Sequence, residues 1–528
     1  MNWKPKHPAF QTLLQAISQE ISPAYVVGGA VRDHLLGRDD RIVDIDVAVP
    51  HSANPVARRV ADRLGWAYYP LDEARDVARL VFTAASKPLV CDVARLRGGE
   101  IAADLLSRDF TVNALACVLE HGRAAALIDV CGGVDDLARR ILRRVSAASL
   151  ADDPIRMVRA VRMALDFGLA LDEETREQIL RMPSAIILTS PERLRDELWK
   201  LLASDSASRA IEELRLLGVL PYLLPEVAAM VGVEQSPPHH LDVYEHTLLT
   251  MSNMGWLAAW LRGESVVADN LAKTMCLEAL TPWKFDLRQH FSPTIASGHS
   301  RADWLMWYAL FHDVGKPEAR QVEKQPTGAL RYRFFEHEVR SAQMTNQRLS
   351  MLRFSRQEID LATAVVRHHM RPHLLDASFR NAPISRRACY RFFRDVGGKQ
   401  VDQPPGIDVA ILALADYLSI HRESPPPAWQ EYLAHVGDLL RFVLTEKGLE
   451  RARLTPLVDG YLLMKHFSLA PGPLVGRLLE QIAEAQAAGE INSEREAIGY
   501  AGELLAAASS AEDAHMPHFE QSTNLILN

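Results

Sequence analysis

Two aspartates, Asp44 and Asp46, stand two residues apart in Val43-Asp44-Ile45-Asp46-Val47, shortly after a bare glycine pair, Gly28-Gly29. Side chains alternate along a strand, so the two carboxylates share one face while Val43, Ile45 and Val47 turn to a core. Two carboxylates on one face hold divalent cations, and a pair of such cations supports in-line attack on a phosphate. A Gly-Gly turn that feeds a helix leaves backbone N–H groups pointing outward, and the helix dipole adds positive charge there. That is a phosphate cradle. Taken singly, a glycine turn and an Asp-x-Asp strand have plain structural uses. In this order and this close, they predict chemistry at a phosphate.

The surrounding elements must bring these groups together. Tyr25–Val27 reads as a buried strand, and Ala30–Leu36 as a short helix stopped at Gly37. Residues 55–66 read as a helix ending near Gly65, and Leu80–Thr83 and Leu89–Val93 as strands. Asp92 in the second strand is a third carboxylate, suited to support the metals or to orient an attacking hydroxyl. The segment DLLSRDFTVNALA carries Arg108, Asp109 and Asn113. Asp109 and Asn113, one turn apart, can reach one ligand, and Asp109 can also cap the helix that follows. The Gly-Gly turn in IDVCGGVDDL (Ile128–Leu137) reads as structural.

Asp152-Asp153-Pro154-Ile155-Arg156 then opens a helix, with Asp153 as N-cap and Pro154 at its first position. Arg156, Arg159 and Arg162 recur along one side, while Ile155, Val158, Val161 and Leu165 hold the other in the core. Together with Arg139, Arg140, Arg143 and Arg144 they form a basic track opposed only by Asp152 and Asp153. A carboxylate accepts hydrogen bonds and a guanidinium donates them. Cytosine and adenine both present an amine donor beside a ring-nitrogen acceptor; guanine and uracil present the reverse. An Asp153/Arg156 pair therefore selects C and A without a template, by reading base edges. Asp153 as a cap alone is the structural alternative. In the amphipathic helix Glu192–Leu202, Arg193 and Glu197 read as an i,i+4 brace.

A second chemical set follows: His246 in LDVYEHTLL, His312-Asp313 in WYALFHDVGKP, His337, His368-His369 and Asp416, each in an apolar helical setting. Buried His and Asp on separate helices need partners, and a shared metal supplies them. Imidazole with carboxylate suits Mn²⁺, Fe²⁺, Ni²⁺ or Zn²⁺ better than Ca²⁺.

A chain of 528 residues requires two to four domains. Five scattered cysteines with no CxxC spacing read as reduced thiols of a cytosolic protein, not a zinc site. No apolar run spans a bilayer, and MNWKPKHPAF lacks a signal-peptide core. The expected localisation is cytoplasmic, without a membrane partner. A net charge of −8 does not exclude RNA, because screening confines charge effects to about 10 Å.

The Gly-Gly, Val-Arg-Asp, Leu-Leu-Gly and Asp-hydrophobic-Asp elements resemble the first motif of the polymerase-beta-like nucleotidyltransferases. In particular they resemble the bacterial class II CCA-adding tRNA nucleotidyltransferase and poly(A) polymerase family. Arg108, Asp109 and Asn113 match that family's Arg-Asp-Phe-Thr-x-Asn-Ala motif, with Ser107 where a first Arg is common. Asp152 stands where the base-reading motif usually has Glu. The ordered His…His-Asp…His…His…Asp series resembles the HD-domain metal-dependent phosphohydrolases.

These resemblances imply an α+β fold: a nucleotidyltransferase head of small mixed sheet and helices (1–145), then an all-α neck (146–224), an HD domain (225–425) and a helical tail that binds tRNA (426–528). They imply Asp44 and Asp46 as Mg²⁺ ligands and, with Asp92, as catalytic residues. Gly28, Gly29, Arg32, Arg108, Asp109, Asn113, Asp153, Arg156, Arg159 and Arg162 would bind nucleotide, with CTP, ATP and an RNA 3′ end as partners. His246, His312, Asp313 and Asp416 would hold one HD metal, such as Mn²⁺, Fe²⁺ or Ni²⁺. His337 and His368, or its neighbour His369, would complete a second, and Lys316 would meet a substrate phosphate. Residues 280–300 read as a loop insertion, Ser424–Pro427 as a linker, and residues from Ser509 onward as a frayed end. The implied activity is CCA addition to tRNA with a fused phosphohydrolase. Poly(A) synthesis, CC- or A-only addition, and a phosphohydrolase whose head only binds RNA are the alternatives.

Overall fold

The computed structural model describes residues 3–83, 88–296, 298–397, 404–421, 424–445 and 455–513. The chain divides into two compact units, Met1–Ala228 and Ala229–Asn528.

The first unit begins with α1 (Pro8–Glu20), β1 (Tyr25–Val27), α2 (Gly29–Leu35), β2 (Asp44–Val49), α3 (Ala53–Leu64), β3 (Ala67–Asp72), β4 (Val77–Phe82), β5 (Leu89–Arg95), α4 (Ile101–Leu106), β6 (Leu115–Glu120) and β7 (Arg123–Asp129). The strands form one mixed sheet in the order β3-β4-β5-β2-β1-β6-β7. Within this sheet only β2 and β5 pair in parallel, and their register sets Asp46 against Asp92. The alternation expected of a half-buried strand holds: Ile45 and Val47 are buried, whereas Asp44 is exposed and Asp46 half-buried. Val43 departs from that expectation. It precedes the strand and is 42% exposed, since the sheet begins only at Asp44. The helix α3 packs on β3, β4 and β5 and against α1, and it ends at Gly65 in the left-handed conformation.

Three ties close the head. Gly28 adopts φ +73, and a Cβ there would sit 2.7 Å from Arg108 Nη1, so glycine serves both the turn and the close approach. Asp129 accepts from the N–H groups of Cys131, Gly133 and Val134, which accounts structurally for the second Gly-Gly turn. A Cβ on Gly133 would strike the Thr111 carbonyl at 2.1 Å.

The chain continues through α5 (Gly133–Ala138), α6 (Ser149–Asp152), α7 (Arg156–Phe167), α8 (Glu173–Arg181) and α9 (Pro191–Leu202). Burial of Met157, Val158, Ala160 and Val161 turns the arginine side of α7 outward, and Leu198, Trp199, Leu201 and Leu202 bury one face of α9.

The second unit is predominantly helical. Helix Val243–Arg262 packs against Arg301–Phe311 and Gly406–Ile420, and His337–Met351 packs against Arg356–His368. The stretch read as a loop insertion forms helix Lys284–Phe291 and a small hairpin, Thr294–Ala296 with His299–Ser300. Buried charges anchor it: His290 and Arg301 both bond Asp408, at 3.0 and 2.6 Å. Beyond Ser424–Pro427, helix Trp429–Leu444 packs on the same bundle, where Tyr432 stacks on Tyr417. Three further helices, Gly460–Phe467, Pro473–Ala488 and Glu494–Asp513, share a small core around Leu463, Leu478 and Ile482. The stretch read as frayed is helical to Asp513, and the remainder lies outside the described residues. No helix of the described residues is long and apolar enough to cross a membrane.

Candidate active sites

In the first unit, the interior strands β1, β2, β4 and β5 with α2, α7 and α9 surround a cleft of about 1480 Å³. Gly28, Gly29, Arg32, Asp44, Asp46, Asp92, Arg108, Asp109, Asn113, Asp153, Arg156, Arg159 and Arg162 all line it. These are all the candidate catalytic, metal-binding and nucleotide-binding residues of the first half of the sequence.

The acidic floor lies in one row across the sheet, since Asp92 is in register with Asp46 on one side and Arg79 on the other. Arg79 donates two hydrogen bonds of 2.8 Å to Asp92 in a fork. No short motif announced this partner; only strand pairing reveals it. Burial, and then Asp44, push the Asp46 carboxyl up to about 7. Burial and Asp92 raise Asp44 as well, for although the residue is exposed its carboxyl faces the cleft wall and two other acids. Burial and neighbouring acids thus raise both carboxyls, Asp44 acting on Asp46 and Asp92 on Asp44, and a divalent cation between Asp44 and Asp46 relieves that, so the donor set fits one.

Above the floor, Arg108 is held by Asp104, at 3.1 Å. Arg32 stacks on Phe167 at 3.9 Å and donates to Asn113 Oδ1 at 2.6 Å. Asp109 is buried. Its carboxylate accepts from the Phe110 N–H, Asn113 and Arg159 at 2.8, 3.0 and 3.2 Å. Burial works to raise this carboxyl, but Arg159, Asn113 and the Phe110 N–H outweigh it and hold it below the usual range. Asp109 and Asn113 thus bond each other, and Asp109 caps no helix by a side-chain bond.

Three expectations about the neck are corrected. Asp153 is not the N-cap of α7, because Pro154 and Ile155 make a turn and the helix starts at Arg156. Instead Arg193 of α9 grips both Asp153 oxygens, at 2.9 and 2.7 Å. Arg193 and Glu197 do not brace one another; Glu197 bonds Arg162 at 2.6 Å and approaches Arg159 at 3.5 Å. The basic track also splits. Arg143 is tied to Asp136 and Asp172, Arg144 to Glu174, and Arg139 to Asp135, leaving Arg156, Arg159 and Arg162 in the cleft.

In the second unit two groups of ligand atoms converge: His246, His312 and Asp416, and Asp313, His337 and His369. His369, not His368, joins the cluster. Successive residues on a helix point about 100° apart, and only His369 is buried, its ring 5.3 Å from those of His312 and His337. Asp313 touches both groups, with Oδ2 3.1 Å from His312 Nε2 and Oδ1 3.3 Å from His337 Nε2. The Nδ1 atoms of His312, His337 and His369 lie 2.8–2.9 Å from backbone carbonyls of Ala309, Phe334 and Val366. Donation there leaves each Nε2 lone pair facing the cluster. His246 Nε2, His312 Nε2, both Asp313 oxygens and Asp416 Oδ1 are buried without a well-formed hydrogen bond. A metal answers that deficit.

Burial alone would raise both acids. His312 and Lys316 around Asp313, and His246 and His373 around Asp416, override it and hold both well below the usual carboxylate range. Lys316 is 2.6 Å from Asp313 and 2.8 Å from Gln235 Oε1. Two histidines were missed in the sequence. His373 bonds Asp416 Oδ2 at 3.0 Å, and His239 packs edge-on to His246.

Comparison with known proteins agrees with the fold. The family described as poly A polymerase head domain matches residues 24–102 and 83–143; the probable RNA and SrmB-binding site of polymerase A matches 168–231, and the HD domain 243–420. A CC-adding tRNA nucleotidyltransferase of Thermus thermophilus is 32% identical, covering 90% of this chain and 92% of the relative. An A-adding tRNA nucleotidyltransferase of Deinococcus radiodurans is 34% identical, covering 90% and 94%. A solved CCA-adding enzyme with ATP shares the fold at a TM-score of 0.59 and 20% identity, over 96% of both chains.

Proposed function

Because this chain belongs to the family of tRNA nucleotidyltransferases built on a poly A polymerase head, we propose that it adds CMP and AMP to the 3′ end of tRNA without a template. The observation that carries the reading is the single cleft in which Asp44 and Asp46 meet the Gly28–Gly29 turn and a wall of arginines. Asp44 and Asp46 would hold Mg²⁺, which would supply activation of the 3′-hydroxyl and charge neutralisation at the pyrophosphate leaving group. Arg32, Arg108 and the Gly28–Gly29 turn hold the triphosphate. Asp92, fixed by Arg79, orients the primer hydroxyl. Asp109, Asn113, Arg159 and Arg162 shape the sugar and base site, and Asp153 with Arg156 reads the base edge.

The HD cluster is a second, phosphohydrolase site, with Mn²⁺, Fe²⁺ or Ni²⁺ on His246, His312 and Asp416 and on Asp313, His337 and His369. The convergence of these buried ligand atoms into two groups supports that reading.

Partial addition is the second reading, favoured by the names of the relatives, one CC-adding and one A-adding. Incubating tRNA that lacks its 3′ end with each NTP, and sequencing the products, separates the readings. Addition of C, C and A supports the proposal. Stopping after CC, or adding A only to tRNA ending in CC, supports the second reading. Long A tracts on unrelated RNA overturn both.

A further inference from the structure

The base-reading pair has a third member. We infer that Arg193 is a specificity-determining positioning residue, which fixes the orientation of the Asp153 carboxylate against an incoming base. The inference rests on the reading of Asp153 as the group that meets the base edge.

Arg156 is poorly placed to orient Asp153 by itself. Its Nη1 donates to the Arg108 and Ser149 carbonyls at 3.1 Å each, and its Nη2 to the Ser107 carbonyl at 3.2 Å. Only Nε faces Asp153, at 3.7 Å, beyond a hydrogen bond. That Nε is buried without a partner. Arg156 is thus pinned to the backbone of the head, with one N–H left over at the edge of the cleft.

Arg193 does what Arg156 does not. Its two Nη groups bond the two Asp153 oxygens at 2.9 and 2.7 Å, the planar fork that guanidinium and carboxylate prefer. A carboxylate has about four lone-pair sites. The fork uses one on each oxygen and fixes the plane of the group, so the remaining sites point in defined directions. An exocyclic amine of cytosine or adenine donates to one of them. The carbonyl that uracil or guanine carries at that place meets an acceptor and is repelled. Without the fork, Asp153 can rotate away from a mismatched carbonyl, and the penalty falls. Arg193 lines the same cleft. The i,i+4 neighbour Glu197 holds Arg162 and Arg159, so one face of α9 positions three groups of α7 and its approach.

The test is nucleotide discrimination, read as the ratio of kcat/KM for CTP or ATP over that for UTP or GTP on tRNA primers. Arg193→Ala is expected to lower the ratio at least tenfold by raising misincorporation, and Arg193→Lys, which keeps one contact, to recover part of it. In the Asp153→Ala background, Arg193→Ala should change the ratio no further. A tie that merely holds α9 in place would lower all four nucleotides together, and additively in the double variant. Unfolding temperatures confirm that each variant is folded. A folded Arg193→Ala enzyme that keeps the parent ratio, while Asp153→Ala loses it, overturns this inference alone. If Asp153→Ala also keeps the ratio, the base-reading assignment falls and this inference with it.

Discussion

Removing the Glu197 carboxylate should loosen the first unit measurably. Glu197 is buried on α9 at 3% exposure, and it bonds Arg162 at 2.6 Å and approaches Arg159 at 3.5 Å. Breaking a buried ion pair by deleting one partner costs about 3–5 kcal/mol. The loss here sits at the low end. Arg159 keeps Asp109 at 3.2 Å, Arg162 keeps Asp166 at 3.3 Å, and both guanidinium groups have some access to water. We therefore expect Glu197→Ala to cost about 3 kcal/mol. For a unit spanning Met1–Ala228, each kcal/mol shifts Tm by about 2–4 °C, so the transition should fall by roughly 6–12 °C. Glu197→Gln keeps the volume and one acceptor and should lose about half as much. Scanning fluorimetry or calorimetry reads the shift. A Glu197→Ala protein melting within 2 °C of the parent would mean the carboxylate carries no such load.

Metal binding at the head should depend on pH. Asp46 has its carboxyl raised from 3.8 to about 7 in the folded, metal-free protein, by burial and then by Asp44. Its favourable contribution to stability is therefore complete at low pH and is lost as pH rises through about 7. A cation must displace that proton, so apparent affinity should weaken by up to about tenfold per unit below pH 7. Titrating Mn²⁺ at pH 6.0, 7.0 and 8.0 checks this, and equal affinities would contradict it. In the second unit, His369→Ala should lower the metal content found by elemental analysis, while His368→Ala leaves it unchanged; the reverse would reject the assigned ligand. Asp313→Asn should weaken both metals together, since its two oxygens face both groups. Loss of one metal only would show that Asp313 does not bridge.

Much of the head was legible because its signals are local. Strand alternation placed Asp44 and Asp46 on one face, and the glycine turn announced the cradle. Val43 was misplaced because alternation says nothing of where pairing starts. Asp153 was misread as a cap because Asp-Pro is a good helix start, yet here Pro154 and Ile155 turn first and Arg193, forty residues away, claims the carboxylate. Arg193 and Glu197 stand one turn apart, and local spacing predicted a pair. Tertiary partners of opposite charge on α7 and its approach outcompete that contact. His368 and His369 are adjacent in an apolar helix, so only the packed orientation separates them. Arg79 carried no signal at all, since its role comes from strand register.

The most direct test replaces Asp44 and Asp46 with Ala and follows nucleotide addition to tRNA alongside hydrolysis of a phosphodiester to its monoester by the HD unit. Loss of addition by at least a thousandfold, with phosphodiester hydrolysis retained, is the expected result. Addition that survives the loss of both carboxylates would contradict the account.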